Sequence, residues 1–142
     1  MFEMLKMNVL YEDDFTQIRH DAPQNCVEWE VKSFIPSKEL KTFFERVYNY
    51  TEECNCDKNL VDMTKMGVIP EDVRDWFQEF WFPMMSEIGV KLFVLINSES
   101  VITQMSVNKM EEDIKGIKDK FGITTVYFDD IEKARSYISS GN

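Results

Sequence analysis

Apolar and polar positions alternate through the first third of this chain and then settle into a helical period. Residues 8–12 and 15–19 read as short strands separated by Asp13-Asp14, a turn-forming pair, and residues 21–25 read as a second turn. After Cys26, the residues Val27, Trp29 and Val31 alternate with Glu28, Glu30 and Lys32. A period of two puts the apolar residues on one face and the charges on the other. This pattern predicts an antiparallel strand with one wet face.

From residue 37 the period lengthens. Ser37 follows Pro36 as an N-cap, and Leu40, Phe43, Phe44, Val47, Tyr48 and Thr51 recur at helical spacing, so an amphipathic helix ends near Asn55. Residues 59–63 form a short apolar strand, and Lys65-Met66-Gly67 a turn. Pro70 suits a first helical turn, and Glu71 and Asp72 suit the positive end of the helix dipole. At about 100° per residue, Val73, Trp76, Phe77, Phe80, Trp81, Met84 and Ile88 share one broad face. Phe82 falls nearly opposite, and Pro83 predicts a kink or an end there. Residues 90–96 are the most apolar strand, expected near the sheet centre with both faces covered. Val107, Met110, Ile114, Ile117 and Phe121 mark a third helix, stopped by Gly122. Residues 124–128 are the last strand. Asp129 and Glu132 have capping-box spacing, with Asp129 as the cap of a helix striped by Ile131, Ala134 and Ile138.

The order β-β-β-α-β-α-β-α-β-α predicts an α/β single domain over residues 1–142. An N-terminal antiparallel meander leads into alternating β-α units, which form a mixed sheet through right-handed crossovers. Residues 1–6 read as a weakly structured extension, with Met1, Met4 and Met7 each a candidate start.

Composition narrows the function. The 142 residues carry a net charge of −10, which disfavours nucleic acid and anionic membrane surfaces, since both call for clustered Lys and Arg. No apolar run approaches the roughly 18 residues of a membrane span. The start of the chain lacks the basic stretch and apolar core of a signal peptide. Cys26, Cys54 and Cys56 make an odd set, so reduced thiols in a cytoplasmic protein are expected.

Candidate chemistry is sparse. Cys54 and Cys56 stand closer than the usual zinc spacing, and a fourth ligand would have to be His20 or a distant carboxylate, so no metal and no cofactor is expected. His20 and Asp21 are adjacent in a strand and point to opposite faces. No nucleophile motif accompanies them, and a catalytic set is not expected. Asp62 lies inside an apolar strand near the end where open α/β sheets bind ligands. Either it meets a ligand or cation there, or it caps the turn that follows. The segment from Trp76 to Phe82 is expected mainly to pack on the sheet with Trp29 and Phe93. Its surplus apolar surface fits a homodimer contact or a hydrophobic pocket.

Several stretches carry a resemblance: Val9-Leu-Tyr-Glu-Asp-Asp14, Leu60-Val-Asp-Met-Thr-Lys-Met-Gly-Val-Ile69, Trp81-Phe-Pro83, Gln104-Met-Ser106 and Tyr127-Phe-Asp-Asp130. With the layout, they resemble the STAS/SpoIIAA-like superfamily, and more narrowly the small bacterial STAS/SEC14-like domain proteins, from about Met7 onward. The resemblance implies a SpoIIAA-like fold and a non-enzymatic regulatory or protein-interaction module. Its SEC14 side implies, as the alternative, a carrier of a small hydrophobic ligand or lipid. Family members of the anti-sigma-antagonist kind carry a phosphorylatable serine in an Asp-Ser-Ser-Gly-like turn after the middle strand. Here that turn reads Val68-Ile-Pro-Glu-Asp72, and the nearest hydroxyl is Thr64. The usual phosphoacceptor is therefore missing. Asp62, Thr64, Glu71, Asp72, Trp76, Trp81 and Phe82 are the candidate ligand- or partner-binding residues, centred on the 66–72 turn and the helix after it.

Overall fold

The computed structural model describes residues 7–66, 69–104 and 107–140. The extension 1–6, Gly67 and Val68 of the expected turn, and Met105 and Ser106 of the quoted motif lie outside the described residues, as do the side chains of Val107 and Met110. Six strands, β1 (Met7–Glu12), β2 (Thr16–Asp21), β3 (Cys26–Val31), β4 (Lys58–Asp62), β5 (Leu92–Ile96) and β6 (Thr124–Phe128), form one mixed sheet in chain order. The pairs β1–β2 and β2–β3 are antiparallel, and the remaining three pairs are parallel. The helices are α1 (Ser37–Cys54), α2 (Glu71–Trp76), α3 (Phe82–Glu87), α4 (Glu99–Gln104), α5 (Val107–Phe121) and α6 (Ile131–Ser139), with a π turn (Phe77–Trp81) joining α2 to α3. The α/β class, the meander and the alternation agree with the sequence pattern, while the short α4 lacks a periodic signal. Among the described residues no helix is long and apolar enough to cross a membrane.

The helices divide unequally between the faces. Val27, Trp29, Val31, Val61, Phe93 and Leu95 face a core filled by α1, α2, the π turn, α3 and Ile117 of α5. On the other face Cys26, Leu60, Leu92, Val94 and Ile96 meet Ala134 and Ile138 of α6. Strand β5 is buried throughout as expected, although it lies next to the edge strand β6 rather than at the centre.

Trp29 anchors the larger core. Its ring meets Phe44 at 4.7 Å and Phe43 at 5.3 Å, both edge-on, the geometry that ring quadrupoles favour. Its buried N–H donates to Asn59 Oδ1 at 2.8 Å, Asn59 Nδ2 donates to Thr51 Oγ1 at 3.3 Å, and Thr51 Oγ1 donates to the Val47 carbonyl at 2.7 Å. This chain of bonds ties β3 to β4 and to α1 without leaving the indole donor unpaired.

Four local expectations are corrected. Strand β3 has no wet face at Glu28, which is 1% exposed, because α6 crosses that side and brings Arg135 against it. Arg135 Nε and Nη2 each donate to Glu28 at 2.9 Å, and Arg19 on the neighbouring strand adds a third donor at 3.2 Å. Such a charge stays buried only when paired in this way. Strand β3 is also antiparallel only to β2, pairing in parallel with β4. Second, Pro36 holds the N-cap of α1, since its carbonyl already accepts from Leu40 N, and Ser37 instead donates to Asp72 Oδ1 at 3.0 Å. Third, Asp130 rather than Asp129 caps α6, accepting from Lys133 N at 3.1 Å, while Asp129 pairs with the Lys133 ammonium.

The fourth correction concerns the aromatic helix. Pro83 has no N–H, and its ring crowds the carbonyl four residues back. The chain answers by widening the preceding turn, where Phe82 N–H reaches Phe77 O, and the helix continues through Pro83. One extra residue per turn rotates everything after it by about 100°. Phe82 therefore turns inward, 4% exposed, and Phe80 is left 54% exposed. Met85 is buried in place of Met84.

Replacing Phe82 by Ala should lower unfolding free energy by about 3–5 kcal/mol, and replacing Phe80 by Ala by less than about 0.5 kcal/mol. Urea titration reads both, and a reversed ranking would contradict the π-turn register. For the buried pair, Glu28→Ala should cost about 3 kcal/mol because two guanidiniums lose the buried carboxylate they share. Glu28→Leu combined with Arg135→Met should recover most of that loss in the same titration.

Candidate functional site

The sequence directs attention first to the C-terminal end of the parallel strands. Asp62 Oδ1 accepts from Thr64 N at 3.0 Å, the turn-capping alternative. Strands β3 to β6 follow one another without a reversal of order, so the sheet has no switch point among the described residues. Thr64 and Glu71 are exposed. Asp72 accepts from Ser37 Oγ at 3.0 Å and lies 3.6 Å from the Lys41 ammonium, which fastens the start of α2 to α1.

The aromatic candidates are core residues. Trp81 is buried and donates its indole N–H to the Phe44 carbonyl at 3.1 Å. Phe82 packs edge-on to Phe93 at 5.5 Å. Trp76 is half-buried and stacks on Phe44 at 6.2 Å. The surplus apolar surface read from the sequence is thus largely absorbed by the fold, with Phe80 left outside.

A different surface has the shape of a site. A groove of about 400 Å³ lies between the β1–β2 turn, the segment 33–36 and the first half of α1. Phe15 and Phe34 stand at its walls, 55% and 67% exposed, and buried Ile35 and Phe43 line it with Lys38, Glu39 and Arg46. None of the seven candidates from the sequence lines it.

The backbone under Phe15 is held. Asp13 Oδ1 accepts from Phe15 N and Thr16 N, each at 2.8 Å, and from Thr16 Oγ1 at 3.0 Å, while its other oxygen accepts from Tyr11 OH at 2.7 Å. Lys32 N closes the turn onto the Phe15 carbonyl at 2.7 Å. Phe34 lies two residues before Pro36, which confines Ile35 between them to extended backbone. Burial raises the Asp13 carboxyl, but the Tyr11, Phe15 and Thr16 hydrogen bonds outweigh it, and the group titrates below its ordinary value. At the far wall the Arg46 guanidinium lies 4.1 Å over the Tyr11 ring. Among the described residues, Lys38, Glu39 and Arg46 form no ion pair.

Other reactive groups are subdued. The three cysteines are free thiols. Burial pushes Cys26 well above its ordinary value, and burial with Cys54 and Asp57 nearby pushes Cys56 up to about 12. Neither is a thiolate near neutral pH, as a nucleophile or soft metal ligand must be. Among the described residues no three His, Cys, Asp or Glu side chains are grouped to hold a metal ion. His20 pairs across from Val27 and Asp21 from Cys26, so the two point to opposite faces.

The turn beneath Phe15 yields a pH-dependent expectation. Asp13 titrates below 3.8 in the folded chain, so its stabilisation is complete above that pH and fades as pH falls through the folded value. Asp13→Ala should lower the thermal midpoint at pH 7, and its deficit against the unsubstituted chain should shrink in melts at progressively lower pH, as the carboxylate is protonated. An equal deficit at every pH would show that the charge is not what holds the turn.

No protein-family model matches this chain, and no curated protein matches it significantly.

Proposed function

We propose that the chain is a non-enzymatic interaction module of the SpoIIAA-like type, lacking the usual phosphoacceptor serine and working in the cytoplasm by contact with another polypeptide. The observation that carries this reading is the pair Phe15 and Phe34, both more than half exposed on one groove. Burying a phenylalanine is worth about 1.5–3 kcal/mol. Two rings left in water therefore forgo stability that a partner would recover. The antiparallel β1–β3 meander running into parallel β3–β6 supports the SpoIIAA-like part of the proposal. Three buried or half-buried free thiols suit a reducing compartment.

The carrier of a small apolar ligand is the second reading, and the apolar floor of the groove favours it. Against that, Asp13, Lys38, Glu39 and Arg46 supply four of the eleven lining residues, a polar rim better matched to a polypeptide than to an acyl chain. Self-association through α2 and α3 would rest on Phe80, because Trp81 and Phe82 are committed to the core.

Native mass spectrometry of the protein isolated from its own host separates these readings. The expected result is a complex with a second polypeptide that disappears when Phe15 and Phe34 are both replaced by Ser, with the circular dichroism unchanged. A lipid adduct in its place would favour the carrier, and a dimer dissolved by Phe80→Ser would favour self-association.

A further inference from the structure

We infer that the groove receives an extended acidic peptide segment, with two carboxylates four residues apart and an apolar side chain midway between them. This rests on the reading of the groove as a polypeptide-binding surface and adds the chemistry and conformation of what it binds.

The charge argument starts from which groups remain free. Asp13 lines the groove, but both of its oxygens are occupied by the turn. Lys38 and Arg46 have no carboxylate partner among the described residues, in a chain whose net charge is −10. The Arg46 guanidinium carbon lies 4.1 Å over the Tyr11 ring, and among the described residues its N–H donors hold no hydrogen bond, so they are open to a carboxylate. Glu39 is the one acidic side chain of the lining with uncommitted oxygens, and the Asp13 charge is bonded into its own turn, so a guest meets two unpaired cationic donors and one free carboxylate.

Spacing then sets the conformation of the guest. Lys38, Thr42 and Arg46 recur every four residues along α1, so they lie on one stripe. At about 1.5 Å per residue, Lys38 and Arg46 are separated by about 12 Å along the helix axis. In an extended peptide, residues 1, 3 and 5 share a face, and the first and fifth are about 13 Å apart. Two acidic residues at positions 1 and 5 therefore match the two cations. Position 3 then falls between them, level with Thr42, in a groove whose apolar lining is buried Phe43 and the exposed rings of Phe15 and Phe34. Because the hydrogen bonds of Asp13 fix the turn that carries Phe15, the guest meets a wall that needs little ordering.

The test is calorimetric titration of the full chain with the synthetic peptide Ser-Glu-Ser-Leu-Ser-Glu-Ser. Saturable binding is expected, weakened about tenfold by Lys38→Glu or Arg46→Glu and by replacing both peptide Glu by Gln. Binding should be lost when Phe15 and Phe34 are both changed to Ser, and it should weaken as salt rises. All four positions are at the surface or half-exposed, and circular dichroism melts confirm that the variants fold. Equal binding to Lys38→Glu and Arg46→Glu would overturn the inference. So would preference for the peptide with Lys in place of Glu, yet if that binding still needed Phe15 and Phe34 the groove would keep its role. Failure of every peptide, together with a host complex indifferent to Phe15 and Phe34, would remove both the inference and the reading beneath it. A dimer dissolved by Phe34→Ser, or dodecanoate competing for the groove while the peptide does not, would likewise overturn it.

Discussion

A sheet whose parallel strands follow chain order places its crossover helices on one side, because each crossover turns with the same hand. The rest of this structure depends on that constraint. The side bearing Trp29, Val61 and Phe93 receives four helices and the π turn, and becomes a dense aromatic core. Among the described residues, the opposite side is packed by α6. One short helix covers the later strands, and the earlier strands hold their uncovered side with charge pairs. Arg19 meets Glu30 at 2.9 Å, and Lys32 meets Glu12 at 2.8 Å. Glu28 sits at the boundary between the two regimes, buried by the helix and paired with a guanidinium from each side.

Crowding on the first face accounts for the aromatic helix. Trp29, Phe44, Phe77, Trp81, Phe82 and Phe93 touch one another in edge-on, tilted or stacked pairs. A regular helix through Pro83 would lose a hydrogen bond and set Phe82 on the outside. The π turn relieves the first difficulty and turns Phe82 inward, so a backbone irregularity serves packing. At the sheet end that would otherwise suggest a ligand site, Asp62 caps a turn and Asp72 ties α2 to α1. The exposed rings stand instead where the meander meets α1.

Regular periodicity made much of this architecture legible before any coordinates. The stripe from Leu40 to Thr51 and the run through Val94 each came from side chains obeying one period against one neighbour. What escaped was set by partners distant in sequence or by irregular backbone. Glu28 looks wet by alternation, because nothing near it announces Arg135. Phe82 looks external because a period of 3.6 carries no warning of a widened turn, although Pro83 marks where the period had to fail. The cap of α6 was misplaced by one residue because Asp129 and Asp130 are chemically alike. The groove stayed hidden because Phe15 reads as a strand residue and Phe34 belongs to no periodic segment. The available signal was an aromatic residue stranded between Ser33 and Ile35-Pro36.

The pairing of Arg135 with Glu28 also bears on the order in which the chain assembles. It joins positions 107 residues apart, and closing so long a loop costs least entropy once the intervening strands are in place. Docking of α6 is then a late event, after the aromatic face has formed around Trp29. Interactions made after the rate-limiting barrier govern how fast a fold comes apart more than how fast it forms. Glu28 and Arg135 thus act as a clasp on the lifetime of the folded state, and loosening them would speed its opening while leaving its formation nearly as fast.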